Sequence, residues 1–370
     1  MSDPRLTPLA AALPDTVPFV GPETQERRAG GAFRARLGAN ELTFGPSPKA
    51  IAAIKRAAHD VWKYPDPEYF DLKQALASHL SCDPVHIVTG AGIDGLLGST
   101  VRLLVAPGDA VVTSDGAYPT FNYHVTGYGG TLHKVPYAGN HEDLDALLDK
   151  AVETRAKLIY LSNPDNPMGS WHTSSDISAF IDRIPDTCVL VLDEAYAECS
   201  DADTTPPLQP DHPNVIRFRT FSKAYGMAGA RIGYAIGPQS LIGAFGKVRN
   251  HFGVSRISAA GAIAALADTD HLNDVLKKIA QSVDRIFEIA RANDLAPLPT
   301  ATNFVTIDCG RDGDFARAVL QSLGERGVFI RMPGAAPLDR CIRVTCGPDD
   351  AMNVFAQALP VALETARTKK

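Results

Sequence analysis

Short runs of aliphatic and β-branched residues, each followed by a helical pattern, recur through the middle of the chain and constrain its fold more than any other feature. Two of these runs, LIYL (158–161) and VLVL (189–192), are continuously apolar. That is typical of strands covered by helices on both faces. The alternation predicts a mostly parallel sheet in an α/β layer architecture. The predicted strands are Ala110–Ser114, Lys157–Ser162, Cys188–Asp193, Val215–Arg219 and Arg231–Ile236.

The pattern changes near residue 270. Apolar residues at helical spacing between Leu272 and Ala290 predict a long amphipathic helix. Beyond it, a helix over Phe315–Leu323 and three strands form a compact α+β unit; the strands are Phe304–Asp308, Val328–Arg331 and Cys341–Thr345. Because 370 residues exceed one ordinary core, we predict a large domain over residues 41–269 and a smaller domain over residues 1–40 and 270–370.

Composition excludes several classes of protein. A formal net charge of −6 argues against nucleic acid or an anionic membrane as the partner. The N-terminus has no basic region ahead of an apolar segment, and no stretch approaches the length of a membrane span, so a cytoplasmic protein is expected. The six cysteines and ten histidines are scattered without ligand spacing, and no metal site is predicted.

Unusual polar residues follow three of the predicted strands. The first strand end continues into the turn Asn163–Gly169, the second into Asp193–Tyr196, and the third into Thr220–Lys223. Each segment alone has an ordinary explanation as a turn, a helix start or an exposed lysine. Ligands of open parallel sheets bind beyond the carboxyl ends of the strands, where these segments would meet.

Together these residues supply what pyridoxal phosphate requires. The Lys223 amine can form a Schiff base and then move the substrate's α-proton. A buried Asp193 carboxylate can keep the pyridine nitrogen protonated. Asn166 and Tyr196 can hydrogen-bond the phenolic oxygen of the ring. The hydroxyls and guanidinium suited to a phosphate dianion belong to Thr220, Ser222 and Arg231.

Motifs along nearly the whole chain carry a family resemblance. They resemble the fold-type I pyridoxal-phosphate-dependent aminotransferases of class I/II, and most of all the histidinol-phosphate aminotransferase branch. The resemblance implies a large domain with a seven-stranded, mostly parallel sheet, a smaller α+β domain and a homodimer. The motifs are Phe44–Pro48, Tyr64–Pro67, Gly92–Asp94, Tyr118–Pro119, Asn163–Gly169, Asp193–Tyr196, Ser222–Arg231 and Arg343–Thr345.

The resemblance also implies roles for individual residues. Lys223, Asp193 and Tyr118 would be catalytic, with Tyr118 stacked on the cofactor ring. The backbone from Gly92 through Ile93 to Asp94 would complete the phosphate site. Tyr64 would reach the cofactor phosphate of the neighbouring subunit, so the active sites would lie at a subunit interface. The full cofactor-binding set is Gly92, Ile93, Asp94, Tyr118, Asn166, Asp193, Tyr196, Thr220, Ser222, Lys223, Arg231 and Tyr64.

Two arginines point to the substrate. Arg343, in a late strand, can clamp an α-carboxylate so that the Cα–H bond stands perpendicular to the cofactor ring, which favours transamination. In the resembling branch, the pair matching Arg331 and Arg343 handles the substrate phosphate and the glutamate carboxylates. An aminotransferase acting between histidinol phosphate, or a similar amine, and 2-oxoglutarate is therefore predicted. The expected substrate-binding residues are Arg331, Arg343, Tyr64 and Asn166.

The chain departs from the family pattern in three places. The usual Asn-Glu-Asn-Pro reads Asn40-Glu-Leu-Thr43, Gly95 replaces an acidic residue, and Pro18-Phe19 replaces Pro-Tyr. The last change removes a hydroxyl that could bond a substrate phosphate. All three departures lie near the predicted substrate entrance. They leave an aromatic or other amino-acid aminotransferase of the same branch as an alternative.

Other functions remain open on the sequence. Gly90–Gly95 spells GxGxxG after a predicted strand over His86–Thr89, and Asp115 follows at the spacing of a ribose-binding acid, so an NAD-dependent dehydrogenase is a rival. That rival leaves Asn166 and Lys223 unexplained. A pyridoxal-phosphate-dependent decarboxylase or lyase also fits, because a lysine Schiff base serves several reactions. A non-catalytic binding module that keeps the scaffold is a further alternative.

Overall fold

The structure is a computed structural model that describes residues 5–14, 19–200 and 202–368; Pro18 lies outside them. The strands are β1 (Ala35–Arg36), β2 (Ile87–Gly90), β3 (Ala110–Ser114), β4 (Thr131–Val135), β5 (Leu158–Ser162), β6 (Val189–Asp193), β7 (Val215–Thr220), β8 (Gly233–Ile236), β9 (Ala296–Pro297), β10 (Phe304–Asp308), β11 (Val328–Phe329) and β12 (Cys341–Thr345).

Helices alternate with the strands through the first two thirds of the chain. The helices are α1 (Pro8–Ala12), α2 (Pro22–Ala29), α3 (Pro48–Ala57), α4 (Phe70–Leu80), α5 (Gly92–Leu104), α6 (Pro119–Gly127), α7 (Leu144–Thr154), α8 (Ser174–Ile181), α9 (Gln239–Ala244), α10 (Arg256–Leu266), α11 (Thr269–Arg291), α12 (Gly313–Glu325) and α13 (Asp349–Thr368). Among the described residues, none of these helices has the length and apolarity needed to cross a bilayer.

The central sheet has seven strands in the order β2-β8-β7-β6-β5-β3-β4. Every pairing from β7 to β4 is parallel, and β8 alone runs antiparallel to both of its neighbours. The predicted α/β class with a mostly parallel seven-stranded sheet is therefore confirmed. The carboxyl ends of β5, β6 and β7 lie side by side at one edge of the sheet.

The apolar run of β5 is buried on both faces of this sheet. Leu158 and Tyr160 pack into the core on one face, while Ile159 and Leu161 pack into the core on the other. All four side chains are fully buried. Each contributes about 1.5–3 kcal/mol through removal of apolar surface from water. This two-sided burial explains why the strand has no polar alternation.

A second group of elements forms its own core after α11. Strands β12, β10 and β9 make an antiparallel sheet, and β1 pairs in parallel with β11. Helices α11, α12 and α13 cover a core that includes Val305, Ile307 and Phe355. The N-terminal Ala35 and Leu37 join this same core. The domain limits at residues 41 and 269 stay a prediction.

Several predicted boundaries differ from the structure. Arg231 is not in a strand: it adopts a left-handed conformation with φ 51°, and β8 begins only at Gly233. Strand β11 ends at Phe329, and Arg331 forms an isolated bridge instead. The sequence predicts a helix over Ser175–Ile184, whereas α8 begins at Ser174 and ends at Ile181. The half-exposed edge strand β4 was not predicted, since its sequence TLHKV is largely polar.

The glycine turn before α5 is not part of a dinucleotide-binding unit. Strand β2 lies at the edge of the sheet, antiparallel to β8, and is not a neighbour of β3. A dinucleotide site would need those two strands adjacent and parallel. Asp115 pairs with Lys134, 3.1 Å away, at the surface.

Candidate active site

Lys223 lies just beyond β7, where several segments converge. Its Nζ donates to the backbone oxygen of Asn40 at 3.1 Å and lies 5.5 Å from the centroid of the Tyr196 ring. Burial, followed by the nearby Arg343 guanidinium, lowers the pKa of Lys223 to about 8. A substantial fraction of the amine is thus neutral near physiological pH, as attack on an aldehyde requires.

Asp193 ends β6, the strand beside β7. Its carboxylate accepts from the Tyr160 hydroxyl at 2.8 Å and from the backbone N–H of Ala195 at 3.0 Å. The residue is 4% exposed. Burial raises the pKa of Asp193 to about 6, against the opposing effect of the Tyr160 hydrogen bond. The Asp193 carboxylate is thus fixed by two hydrogen bonds and shielded from water. Such a carboxylate can accept a hydrogen bond from a protonated pyridine nitrogen.

The start of α5 is suited to an anion. Its N-cap residue Ala91 supplies no side-chain cap, so the first N–H groups of the helix are free of side-chain partners. Gly92 has φ 73°, and a Cβ there would lie 2.5 Å from Nη2 of Arg231. Only a glycine therefore lets this guanidinium lie against the helix start. Free N–H groups and a guanidinium together fit a phosphate dianion.

The other predicted phosphate ligands lie near this point. Thr220 ends β7, and its hydroxyl accepts from the backbone N–H of Ser222 at 3.1 Å. That contact fixes the turn leading to Lys223. Asp94 lies in the first turn of α5, but its carboxylate contacts the His124 ring at 3.0 Å. Its predicted contribution is through the backbone.

Tyr118 lies among the predicted cofactor residues. It immediately precedes α6, and burial raises the pKa of its hydroxyl. The charges of Asp94, Asp193 and Arg231 all act on this hydroxyl. Tyr118 is therefore close to both the anion site and the Asp193 carboxylate, and its stacking on the cofactor ring stays a prediction.

Arg343 and Asn166 meet on the opposite side of the site. Asn166 Oδ1 accepts from Nη1 of Arg343. Within the described part of the chain, the Asn166 amide N–H groups have no hydrogen-bond acceptor and remain available for a ligand oxygen. The Arg343 guanidinium also lies 5.1 Å from the ring centroid of Phe304, and its buried Nε has no hydrogen-bond partner among the described residues.

Arg331 lies directly opposite Arg343. The two residues exchange backbone hydrogen bonds of 3.2 and 2.7 Å. Arg331 Nη2 donates to Val20 O at 2.5 Å, and its guanidinium lies 4.1 Å from the Phe19 ring centroid. Burial, then the Arg343 charge, lowers the pKa of Arg331 to about 10. Two adjacent, partly desolvated guanidiniums form a site for anions.

Tyr64 is separate from this group. Its side chain is 79% exposed, and its ring lies 5.0 Å from that of Phe252. Trp62 is 78% exposed beside it. The predicted role of Tyr64 concerns a neighbouring subunit, and a single chain does not test that role.

A buried ion-pair cluster joins the segment that carries Asp193 to the strand that leads to Lys223. Glu194 is 1% exposed and accepts three hydrogen bonds from Arg217, at 2.6 to 3.0 Å. It accepts a fourth from Arg219 Nε at 3.0 Å. The Arg217 and Arg219 charges keep the pKa of Glu194 below its usual value despite the burial. The cluster ties the end of β6 to β7.

Two residues of the site were not predicted. Asn40 contacts both Lys223 and Tyr196, and Tyr160 holds Asp193. The Asn-Glu pair at residues 40 and 41, which matches the start of the family's Asn-Glu-Asn-Pro, was the available signal for Asn40, but the sequence analysis places it only near the substrate entrance. Tyr160 lies inside an apolar run and gave no signal. In the described part of the chain, no cluster of three or more His, Cys, Asp or Glu could hold a metal ion.

Comparison with known proteins decides the family. The sequence model for "Aminotransferase class I and II" matches residues 35–359. The chain belongs to this family. Its members depend on pyridoxal phosphate, which confirms the predicted cofactor and contradicts the dehydrogenase alternative.

Relatives of this aminotransferase match more than nine tenths of its length. It is 35% identical over 348 residues to histidinol-phosphate aminotransferase 1 of Nitrosococcus oceani, covering 93% of each chain. It is 34% identical to the histidinol-phosphate aminotransferase of Anaeromyxobacter sp., covering 93% of this chain and 95% of that one. It also superposes with a TM-score of 0.95, at 56% identity and 98% coverage of both chains, on the histidinol-phosphate aminotransferase of Sinorhizobium meliloti, solved in complex with pyridoxal-5'-phosphate.

Proposed function

We propose that this aminotransferase carries pyridoxal phosphate as a Schiff base on Lys223 and exchanges amino groups between histidinol phosphate and 2-oxoglutarate. The observation that carries the proposal is the backbone pairing of Arg331 with Arg343, whose guanidinium is near Lys223. Two fixed guanidiniums suit substrates with a distal anion, and glutamate and histidinol phosphate both have one. The names of the relatives support the same substrate.

Residues already described would hold the cofactor. Arg231 and the free N–H groups of α5 would bind its phosphate, and Asp193 would face its pyridine nitrogen. Asn166 and Tyr196 would hydrogen-bond its phenolic oxygen. When bound, pyridoxal phosphate accepts the electron pair released from the substrate's Cα–H bond. Lys223 Nζ would accept the proton from the substrate's Cα and would deliver it to the carbon of the cofactor that carried the aldehyde.

Arg343 favours transamination over decarboxylation. A bidentate guanidinium fixes the plane of an α-carboxylate. Asn166 holds Nη1 of Arg343, so this guanidinium would fix the substrate's α-carboxylate and leave the Cα–H bond as the one to be broken. The bond between Cα and the carboxylate carbon is then poorly aligned for cleavage. This orientation separates the proposed reaction from that of a decarboxylase on the same scaffold.

An exposed apolar surface supports a homodimer. Val61, Trp62, Tyr64 and Phe252 are each about half to four-fifths exposed and lie together around one cleft. Water-exposed aromatic groups at this density usually mark an interface. We propose that a second copy of the chain covers them and that Tyr64 reaches the partner's cofactor phosphate. Mixing Lys223→Ala with Tyr64→Ala subunits should restore activity in hybrid dimers, and no recovery would argue against a shared site.

Absorbance spectroscopy tests the proposed half-reactions. Purified protein with added pyridoxal phosphate should show a yellow band that borohydride fixes at Lys223. Glutamate and histidinol phosphate should each convert this band to that of the pyridoxamine form. A protein that neither binds the cofactor at Lys223 nor responds to either amine would refute the proposal.

Phe19 favours a second candidate substrate class. Its ring lies against Arg331, where the resembling family has a tyrosine hydroxyl. An aromatic amino acid could stack there without needing a phosphate ligand. Comparing kcat/KM for histidinol phosphate and phenylalanine separates the two candidates. A higher value for phenylalanine would make this an aromatic amino-acid aminotransferase.

The thiols support a reducing compartment. All six cysteines are free, and five of them are buried. Reduced, scattered thiols are typical of cytosolic proteins. We therefore propose a cytoplasmic location, which cell fractionation would test.

A further inference from the structure

Asn40 connects parts of the active site that lie far apart in sequence. Its side-chain Nδ2 donates to the Tyr196 hydroxyl at 2.9 Å. Its backbone oxygen accepts from Lys223 Nζ at 3.1 Å and from Asn303 Nδ2 at 3.2 Å. Asn40 is 2% exposed and has φ 53°, a left-handed conformation that few residues besides glycine, asparagine and aspartate adopt.

Thr345 determines which way the Asn40 amide faces. The Thr345 hydroxyl accepts from the backbone N–H of Asn40 at 3.1 Å. It then has its own proton left to donate, and the Asn40 side chain lies 3.1 Å away. Only the amide oxygen can accept that proton. The amide NH₂ must therefore lie on the other side, toward Tyr196.

The direction of this bond limits what the Tyr196 hydroxyl can do. An amide NH₂ donates and has no lone pair to accept a proton. The Tyr196 hydroxyl therefore accepts from Asn40, and its own single proton stays free for another acceptor. Tyr196 is 3% exposed, so bulk water does not compete for that proton.

We propose that Asn40 is a positioning residue that orients the Tyr196 hydroxyl so that it donates its proton to the phenolic oxygen of the bound cofactor. The inference rests on the proposed function, in which Tyr196 faces that oxygen. A donor at this oxygen stabilises its negative charge. Without the donor, Nζ of Lys223, once bonded to the cofactor, retains its proton to higher pH.

The pH dependence of the cofactor's absorbance band measures this effect without relying on activity. Tyr196→Phe removes the donor and should raise the pH midpoint of the band change by about one to two pH units, the range for a hydrogen bond to a charged group. Asn40→Gly keeps the left-handed backbone and the oxygen facing Lys223, but removes the NH₂ group. It should raise the midpoint by roughly half a pH unit, because the hydroxyl loses its fixed direction.

A double variant separates this mechanism from a general loosening of the site. In a Tyr196→Phe background, Asn40→Gly should leave the midpoint within about 0.3 pH unit of Tyr196→Phe alone, since both changes act through one hydroxyl. Equal shifts in both backgrounds, or no shift from Asn40→Gly in the native background, would overturn the proposal.

Asn40→Asp is the second variant, in case the glycine substitution prevents folding. Aspartate tolerates the left-handed conformation, but its carboxylate accepts the Tyr196 proton instead of donating. Asn40→Asp should therefore shift the pH midpoint more in the native background than in the Tyr196→Phe background. Equal shifts in the two backgrounds would mean that the added charge alone causes the effect, which would contradict the proposal. A native protein that shows no cofactor band at Lys223 would instead contradict the proposed function itself.

Discussion

The floor of the site and its rim are built in different ways. The floor consists of Asp193, Lys223 and the start of α5, all at the carboxyl ends of strands in one sheet or just beyond them. The rim consists of Arg331, Arg343 and the Phe19–Val20 segment, which meet only through long-range contacts. The departure at Phe19 lies in the rim, and Asn40, which keeps the residue of the family pattern, lies where the rim meets the floor. In the proposed function, cofactor chemistry and substrate choice therefore depend on separate parts of the chain.

Lys223→Ala should break the floor and have the largest effect. Loss of the covalent attachment and of the proton-transfer group should reduce kcat by at least about 10³-fold. Lys278→Ala is a matched control, because that lysine is exposed on α11 and its only ion pair among the described residues is with Asp274. Turnover by Lys223→Ala close to that of the control would refute the assignment.

Arg343→Ala should damage the rim and leave the floor intact. Loss of a charged hydrogen-bond pair should raise KM for glutamate about 10- to 100-fold. The resting cofactor spectrum should keep its bands, because Asp193 and Lys223 are untouched. Steady-state kinetics and a cofactor titration on the same preparation measure both effects. A variant that loses the cofactor would mean that Arg343 belongs to the floor.

The pH dependence of cofactor capture tests the floor's electrostatics. Only the neutral Lys223 amine attacks an aldehyde, and its pKa is lowered to about 8. The capture rate of the cofactor-free protein should therefore rise about tenfold per pH unit below this value and level off above it. Stopped-flow absorbance measures the rate. A rise that continues to the pKa of an ordinary lysine would show that Lys223 is not perturbed.

Phe19→Tyr should strengthen binding of a substrate phosphate at the rim, and its effect should be the smallest of the four. A hydroxyl beside Arg331 adds one hydrogen-bond donor for a substrate phosphate. KM for histidinol phosphate should fall about 3- to 10-fold, since one such bond contributes about 0.5–1.5 kcal/mol. KM for phenylalanine should not fall. Equal changes for both substrates would mean that position 19 does not sense the phosphate.

The sequence predicts the floor much better than the rim. Strand β3 was predicted to the residue, and β5 and β6 to within one residue, because two-sided burial leaves an unmistakable apolar run. The polar edge strand β4 was missed, since half-exposed strands need no such run. The carboxyl ends of parallel strands lie at one edge of the sheet, so the strand positions were enough to predict that Asp193 and Lys223 lie close together.

Long-range contacts account for most of what was missed. Asn40 owes its position to Thr345, which is 305 residues away, and no local pattern encodes that contact. Arg331 was predicted to bind substrate, but its contacts with Phe19 and Val20 depend on how the N-terminal segment returns. The proposed role of Tyr64 requires a second chain, which a single sequence pattern does not describe.

The buried Glu194 cluster also favours the correct register between β6 and β7. Side chains alternate along β7, so a slip of one residue would replace Arg217 and Arg219 by Phe218 opposite Glu194. A buried carboxylate without its arginines costs about 3–5 kcal/mol. A misaligned chain would therefore lose stability. The charges of the Glu194 cluster thus favour the one alignment of β6 with β7 that places Asp193 beside Lys223.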